Sequence, residues 1–315
     1  MKTKELLLHY GRQFGTLAGL LVLCLVLWIL TPHFLTVSNL LNVAQQTTIV
    51  AIIAVGMTFV IITAGIDLSV GSVLAVAGVV LATMLQKGVP LVLALLVGLG
   101  TGLLGGVLNG LLITMGRLPP FIATLGMMSM ARGAALVFTE GRPVSGFSDT
   151  FRWLAVGEVF HIPAPVIVML IVYAIAHFVL TRTKLGRYTY AMGGNEEAAI
   201  LSGVNVRLYK TLVYGLCGML SGLAAIILTA RLNSAQPIAG MMYELDAIAA
   251  TVIGGTSLTG GEGTVIGTLI GALIIGVLRN GLNLLDISSF VQQIVIGAVI
   301  VVAVLLDMAL KASRK

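Results

Sequence analysis

The chain has 315 residues, 58% of them hydrophobic and only 10% charged, with a mean hydropathy of +1.08. That composition excludes a soluble globular domain and identifies an integral membrane protein. The formal charge of +6 does not indicate nucleic acid, because the basic residues lie in gaps between apolar runs and form no aromatic-interleaved patch.

In chain order, apolar runs near 15 to 31, 48 to 64, 70 to 86, 90 to 115, 120 to 138, 164 to 180, 211 to 230, 243 to 255, 263 to 285 and 290 to 309 predict about ten membrane helices. No alternating ten-residue pattern suggests a barrel. The first run follows Lys2, Lys4 and Arg12 and ends in "WILTPHF", without a small-residue cleavage site, so it reads as an uncleaved first span. The eighth, "YELDAIAATVIGG", is short and opens with two acids, which also fits a re-entrant segment.

Threading from a cytoplasmic N-terminus puts Arg117, the cluster Arg182, Lys184, Arg187, Arg207 and Lys210, and the tail Lys311, Arg314 and Lys315 on the cytoplasmic side. Arg142 and Arg152 remain outside, on the loop from 139 to 163. The expectation is an all-α polytopic protein with one domain over 1–315, halves of about 1–163 and 164–315, and a cytoplasmic loop at 181–210.

A faint internal repeat accompanies these spans. "AGIDLSVGS" (64 to 72) can be laid on "GGTSLTGGE" (254 to 262), "GVLNGLL" (106 to 112) on "GVLRNGLNLL" (276 to 285), and "PPF" (119 to 121) on "SSF" (288 to 290). The 38 glycines suit close helix packing and broken helices.

Reactive chemistry is not indicated. Cys24 and Cys217 form no CxxC pair, and His9, His33, His161 and His177 are scattered without metal-ligand spacing. There is no GxSxG, no HExxH and no GxxxxGK[ST] phosphate loop, so neither catalysis nor ATP binding is expected of this chain.

The stretch "GGNEEAAILSGVNV" (193 to 206) interrupts the apolar pattern with polar residues. Asn195 is a good N-cap, Glu196 and Glu197 sit where the helix dipole favours negative charge, and Gly203 is a natural stop. This predicts a helix of about two turns, too short to be stable in water without something to dock against. Taken from residue chemistry alone, it is equally a surface loop with one helical turn.

"EAAILSG" (197 to 203) resembles the EAAxxxG motif of ATP-binding-cassette importer permeases, though the usual Ile-x-Leu-Pro tail is absent. The wider chain resembles the monosaccharide branch of that family, and ribose permeases in particular. The resemblance runs through "AVGMTFVIITAGIDLSVGS" (54 to 72), "KLGRYTYAMGGNEEAAILSGVNV" (184 to 206) and "NSAQPIAGMMYELDAIAATVIGGTSLTGGEGTVIGTLIGALIIGVLRNGLNLL" (233 to 285).

The resemblance implies that Asn195, Glu196, Glu197, Ala198, Ala199 and Gly203 form a coupling helix. It would seat in a separate cytoplasmic ATPase that holds ATP and Mg. It further implies a homodimer in the bacterial inner membrane and a periplasmic sugar-binding protein that docks on 31–42, 139–163 and 231–242.

For a neutral sugar the path needs polar groups and room. Candidates are Asp67, Ser69, Asn109, Thr124, Asp246, Asn280 and Asn283. Asp67 is alternatively a cap for a helix starting at Leu68, each Asn an interhelical hydrogen-bonding group, and Glu244 and Asp246 caps of the eighth span. Arg132 is expected to snorkel or pair. The competing function is an ion-gradient-driven transporter using Asp67 and Asp246 as proton carriers.

Overall fold

The computed structural model describes residues 3–312. Lys2, Arg314 and Lys315, used above to orient the chain, lie outside the described residues, as do the side chains of His9, Lys4, Arg12 and Lys311.

The chain is all-α. In order it forms α1 (Thr3–Leu30), α2 (Val37–Ile62), α3 (Val70–Gln86), α4 (Leu91–Thr114), α5 (Pro120–Thr139), β1 (Val144–Ser145), α6 (Asp149–Val156), β2 (Glu158–Val159) and β3 (Ile162–Pro163). It continues through α7 (Ala164–Arg182), α8 (Lys184–Gly194), α9 (Glu196–Leu201), α10 (Val206–Leu232), β4 (Ser234–Ala235), α11 (Tyr243–Ile253), α12 (Val265–Leu284) and α13 (Ser289–Ala312).

The helix count departs from the expected ten spans. Among the described residues six helices are long and apolar enough to cross a membrane: α2, α4, α5, α7, α10 and α12. Phe14–Leu30, Val70–Gln86 and Ser289–Val302 are apolar but shorter. The eighth predicted run, α11, has 11 residues and is only about 16 Å long, roughly half a hydrocarbon core. Its shortness follows from the segment before it. Residues 236–242 turn from the end of α10 to lay Gly240 against Gly71 of α3, and α11 starts from there, with Met242 at φ +70° as its N-cap.

Two ends of the bundle are distinguishable. At one lie α8 and α9, the ends of α2 and α4, and the starts of α5 and α10. At the opposite end lie α6 and the small strand pairs β1 with β4 and β2 with β3.

The core is built around α2 and α10, whose most apolar stretches are 83% and 72% buried, against 22% for α4 and 28% for α5. Small residues permit this. On α4, Gly98, Gly102, Gly106 and Gly110 recur every fourth residue and face Gly215, Gly218, Gly222 and their neighbours on α10. A methyl group at Gly106 would overlap the Tyr214 carbonyl oxygen, so the two backbones touch without side chains between them.

The helix order also carries the repeat. Helices α2 to α5 and α10 to α13 each run as a long helix, an extended break, a shorter helix and two further helices. One series starts at the β-strand end and the other at the α9 end, so the repeat is inverted. The packing mirrors it, with α10 against α4 as α2 is against α12. In this order Asn109–Gly110 of α4 corresponds to Asn280–Gly281 of α12, as the sequence match anticipates.

Matching 64–72 to 254–262 does not fit the topology. The first links α2 to α3, whereas the second links α11 to α12 and corresponds to the turn between α3 and α4. The glycines serve different ends: Gly255, Gly260 and Gly261 adopt positive φ in a tight turn, whereas Gly71 lies within α3 and makes room for a neighbouring backbone. The counterpart of the break at 63–69 is the segment 233–242. The two breaks meet inside the bundle, where a methyl group on Gly71 would overlap the Gly240 carbonyl.

Candidate functional site

An extended break frees backbone groups that must be satisfied inside the protein. Here side chains do so. Thr124 Oγ1 on α5 shares its one proton between the Pro120 carbonyl of its own helix, at 2.9 Å, and the Ile66 carbonyl of the break, at 3.3 Å. Arg132, also on α5, donates through Nη1 to the carbonyls of Pro237 at 2.8 Å and Ala239 at 2.7 Å. One guanidinium thereby ties the second break to the helix that supports the first, so Arg132 pairs with backbone rather than snorkelling.

Asp67, Ser69, Asn109 and Thr124 fall in one buried cluster beside the first break. Asp67 Oδ1 accepts from the Ser69 N–H at 2.9 Å and from Ser69 Oγ at 2.6 Å. Asn109 Nδ2 on α4 donates to Ser69 Oγ at 2.8 Å and reaches Asp67 Oδ1 at 3.4 Å. Asp67 is therefore not the N-cap expected for a helix starting at Leu68: α3 starts at Val70 with Ser69 as its N-cap, and Asp67 closes a tight side-chain turn onto Ser69 just ahead of it. The same contact staples the break to α4.

The remaining path candidates stand elsewhere, towards the β-strand end. Asp246 on α11 accepts from Arg279 Nη2 of α12 at 2.9 and 2.8 Å. Asn280 exchanges two amide hydrogen bonds with Asn39 of α2, at 3.0 and 2.9 Å. Asn283 accepts from Gln292 Nε2 of α13 at 2.7 Å. Each of these joins two helices. The sequence singles out neither Asn39 nor Gln292, and it places Arg279 only near the outer end of its span, although an arginine inside an apolar run requires an acid or carbonyl nearby.

The Asp246 side chain is 3% exposed and that of Arg279 38%. Removing the cation leaves a buried carboxylate without compensation, so Arg279→Met is expected to destabilise the protein by about 3 kcal/mol. Thermal unfolding in detergent checks this, with the double change Arg279→Met and Asp246→Leu recovering most of the loss.

At the α9 end the residues of the acidic motif come together. Asn195 Oδ1 accepts from the Ala198 N–H at 2.9 Å and caps α9, which spans the six residues Glu196–Leu201. Gly203 takes φ +82°, and its N–H and that of Val204 reach back to Ile200 and Ala199 to close the helix. Ala199 packs beneath α9 against Met192 and Val206. Lys210 Nζ of α10 meets Glu196 Oε2 at 2.6 Å.

Glu196, Glu197 and Ala198 point outward. So do two apolar side chains that the sequence reading passed over, Ile200 at 54% and Leu201 at 88% exposure. A short helix that shows solvent an acidic first turn and an apolar last turn presents a docking face.

Helix α8 leads directly into α9, and Asn195 is both the C-cap of one and the N-cap of the other. Tyr190 Oη on α8 donates to the Gly263 carbonyl in the α11–α12 turn at 2.6 Å. Burial pushes the Tyr190 hydroxyl from 10.0 up to about 12. The raised value favours the protonated donor, so the contact is fully present below the ordinary tyrosine range and lost only as pH rises through about 12. Among the described residues, no group of three His, Cys, Asp or Glu side chains is placed to hold a metal ion.

Comparison with known proteins matches residues 39–304 to the family described as branched-chain amino acid transport system / permease component. The chain is 50% identical over 312 residues to the ribose import permease protein of Bacillus subtilis, covering 98% of this chain and 97% of that protein. It is 52% identical over 296 residues to the ribose import permease protein of Escherichia coli K12, covering 93% of this chain and 92% of that protein. The galactose/methyl galactoside import permease protein of Escherichia coli K12 is 37% identical over 331 residues, covering 99% and 98%. No solved structure matches at a significant level. A bundle of apolar helices, broken twice inside and carrying one capped acidic helix at its end, thus belongs with these proteins: the chain is a member of the import-system permease family that includes the ribose import permeases.

Proposed function

We propose that this chain is the membrane permease of an ATP-driven importer of ribose in the bacterial inner membrane. The observation that carries the reading is 50% to 52% identity, over nearly the whole chain, to two ribose import permeases. The capped helix α9, with Leu201 at 88% exposure, supplies the physical complement, a face for a second protein.

In this reading α9 and both termini lie on the cytoplasmic side. The chain acts as a homodimer, because two ATPase subunits that close on ATP and Mg require two coupling helices and each chain offers one. The ATPase performs the hydrolysis and this chain catalyses no covalent step. A sugar-loaded periplasmic binding protein docks on the opposite end, around α6 and the strand pairs. Closure of the ATPase displaces α9, and the displacement changes how the two internal breaks pack, which alternately exposes the path to each side.

Support for ribose over other monosaccharides is graded. The D-allose permease of Escherichia coli K12 is 41% identical and the galactose permease of the same strain 37%. The deciding experiment is uptake of radiolabelled ribose, allose and galactose into proteoliposomes containing the chain, its ATPase and a binding protein for each sugar. ATP-dependent uptake of ribose above the other two is expected. Uptake that ignores ATP and follows a proton gradient would overturn the importer reading and return attention to Asp67 and Asp246.

A further inference from the structure

Helix α9 touches little of the membrane bundle itself. Its direct ties to α10 are the packing of Ala199 on Val206, at the very start of that helix, and the Lys210–Glu196 pair, in which the Glu196 side chain is 46% exposed. An ion pair with one partner so open to water contributes little stiffness. The other route away from α9 runs back through Asn195 into α8, and there the contacts are close and numerous.

On α8, a methyl group at Gly193 would overlap the carbonyl oxygen of Ile62, the last residue of α2. The same carbonyl accepts from the Gly261 N–H of the α11–α12 turn at 2.9 Å. Gly260, at φ +82°, lies against Ala64 and the Gly193 carbonyl, and Gly261, at φ +75°, lies against Gly194. Tyr190 adds its 2.6 Å hydrogen bond to Gly263. One helix thus grips the start of the first break and the turn that follows α11, and backbone lies against backbone with no flexible side chain between.

We infer that α8, through Tyr190 and Gly193, carries the displacement of α9 to the α11–α12 turn and the end of α2, and that Tyr190 is a positioning residue for transport. This rests on the importer reading. The glycines allow α8 to sit close enough to push, and the tyrosine hydroxyl makes the contact pull as well, because one directional hydrogen bond resists separation more than the few atom contacts a glycine can make. The α11–α12 pair is the element moved. It begins just after Met242, two residues beyond Gly240, where the second break touches Gly71.

The test uses the full permease and ATPase complex in proteoliposomes with the ribose-binding protein, and reads three quantities: assembly, ATP hydrolysis, and ribose moved per ATP hydrolysed. Tyr190→Phe keeps the ring and removes only the hydroxyl. It is expected to assemble and hydrolyse ATP as the native complex does while moving about five-fold less ribose per ATP, the lower range of ordinary coupling strengths.

Two neighbouring glycines supply an independent arm. Gly193→Ala forces α8 away from Ile62 and is expected to lower the same ratio, whereas a methyl group on Gly194 meets nothing within 4 Å and Gly194→Ala is expected to be silent. A native ratio in both Tyr190→Phe and Gly193→Ala overturns the inference. So does failure of Tyr190→Phe to assemble, since the residue would then hold the fold and not the stroke. A native complex that transports without ATP removes the importer reading itself, an outcome visible before any variant is compared.

Discussion

Leu201→Asp is expected to abolish ATP-dependent uptake while leaving the permease folded. The side chain is 88% exposed at the end of α9, so its replacement costs the isolated chain almost nothing. Against a partner the balance reverses. A leucine buried at a protein interface contributes about 2 kcal/mol, and a carboxylate in its place adds an unpaired charge at a desolvated contact. Together these weaken ATPase binding by about a hundredfold or more.

Glu197→Arg gives the same phenotype by another route. A cation in the first turn of α9 opposes the helix dipole and reverses the charge that this exposed turn presents to a partner. Both variants are checked by co-purification with the ATPase and by uptake. Co-purification at the native level would show that α9 is not the docking element.

Gly106→Val is expected to remove folded protein altogether. The added methyl groups enter where the Tyr214 carbonyl already sits, and one turn away Gly102 and Gly218 leave no more room, each lying within reach of the other's backbone. Overpacking a membrane core costs about 1 to 3 kcal/mol when side chains can yield. Here only backbone is available to move, so α4 and α10 must part along the glycine row. Fluorescence-detected size exclusion is expected to show aggregated or degraded protein for Gly106→Val and a monodisperse peak for Gly100→Val, since a side chain at Gly100 meets nothing within 4 Å.

Much of this was legible in the sequence. Helix α3 spans the expected residues 70 to 86, and the predicted runs at 90 to 115 and 120 to 138 fall within a residue of α4 and α5, because apolar runs of this length have one structural solution in a membrane. The cap at Asn195 and the stop at Gly203 were equally readable, since capping is local chemistry.

The second span was drawn too short, whereas the first, 15 to 31, matches the apolar stretch Phe14–Leu30 of α1. "NLLNVAQQTT" carries amide and hydroxyl groups that look like a loop, yet α2 begins at Val37, because Asn39 is satisfied by Asn280 across the bundle. That partnership lies 241 residues away in sequence. Arg279 and Arg132 were hard to place for the same reason, since their partners are defined only by folding. The inverted repeat was half visible. Asn-Gly pairs and helix starts survive inversion as sequence, but a break held by hydrogen bonds to another helix leaves no common spelling, so 63–69 and 233–242 do not look alike.

One small feature joins two distant loops at the β-strand end. Strands β1 and β4 pair over two residues, Val144 with Ala235 and Ser145 with Ser234, and Phe147 N–H adds a 3.0 Å bond to Asn233 Oδ1. This clasp joins the loop after α5 to the loop after α10, just where the second break leaves α10. The exit of α10 and the exit of α5 are thereby one mechanical unit, so whatever moves the second break carries the loop after α5 with it and changes the outline of this end of the bundle in a single piece.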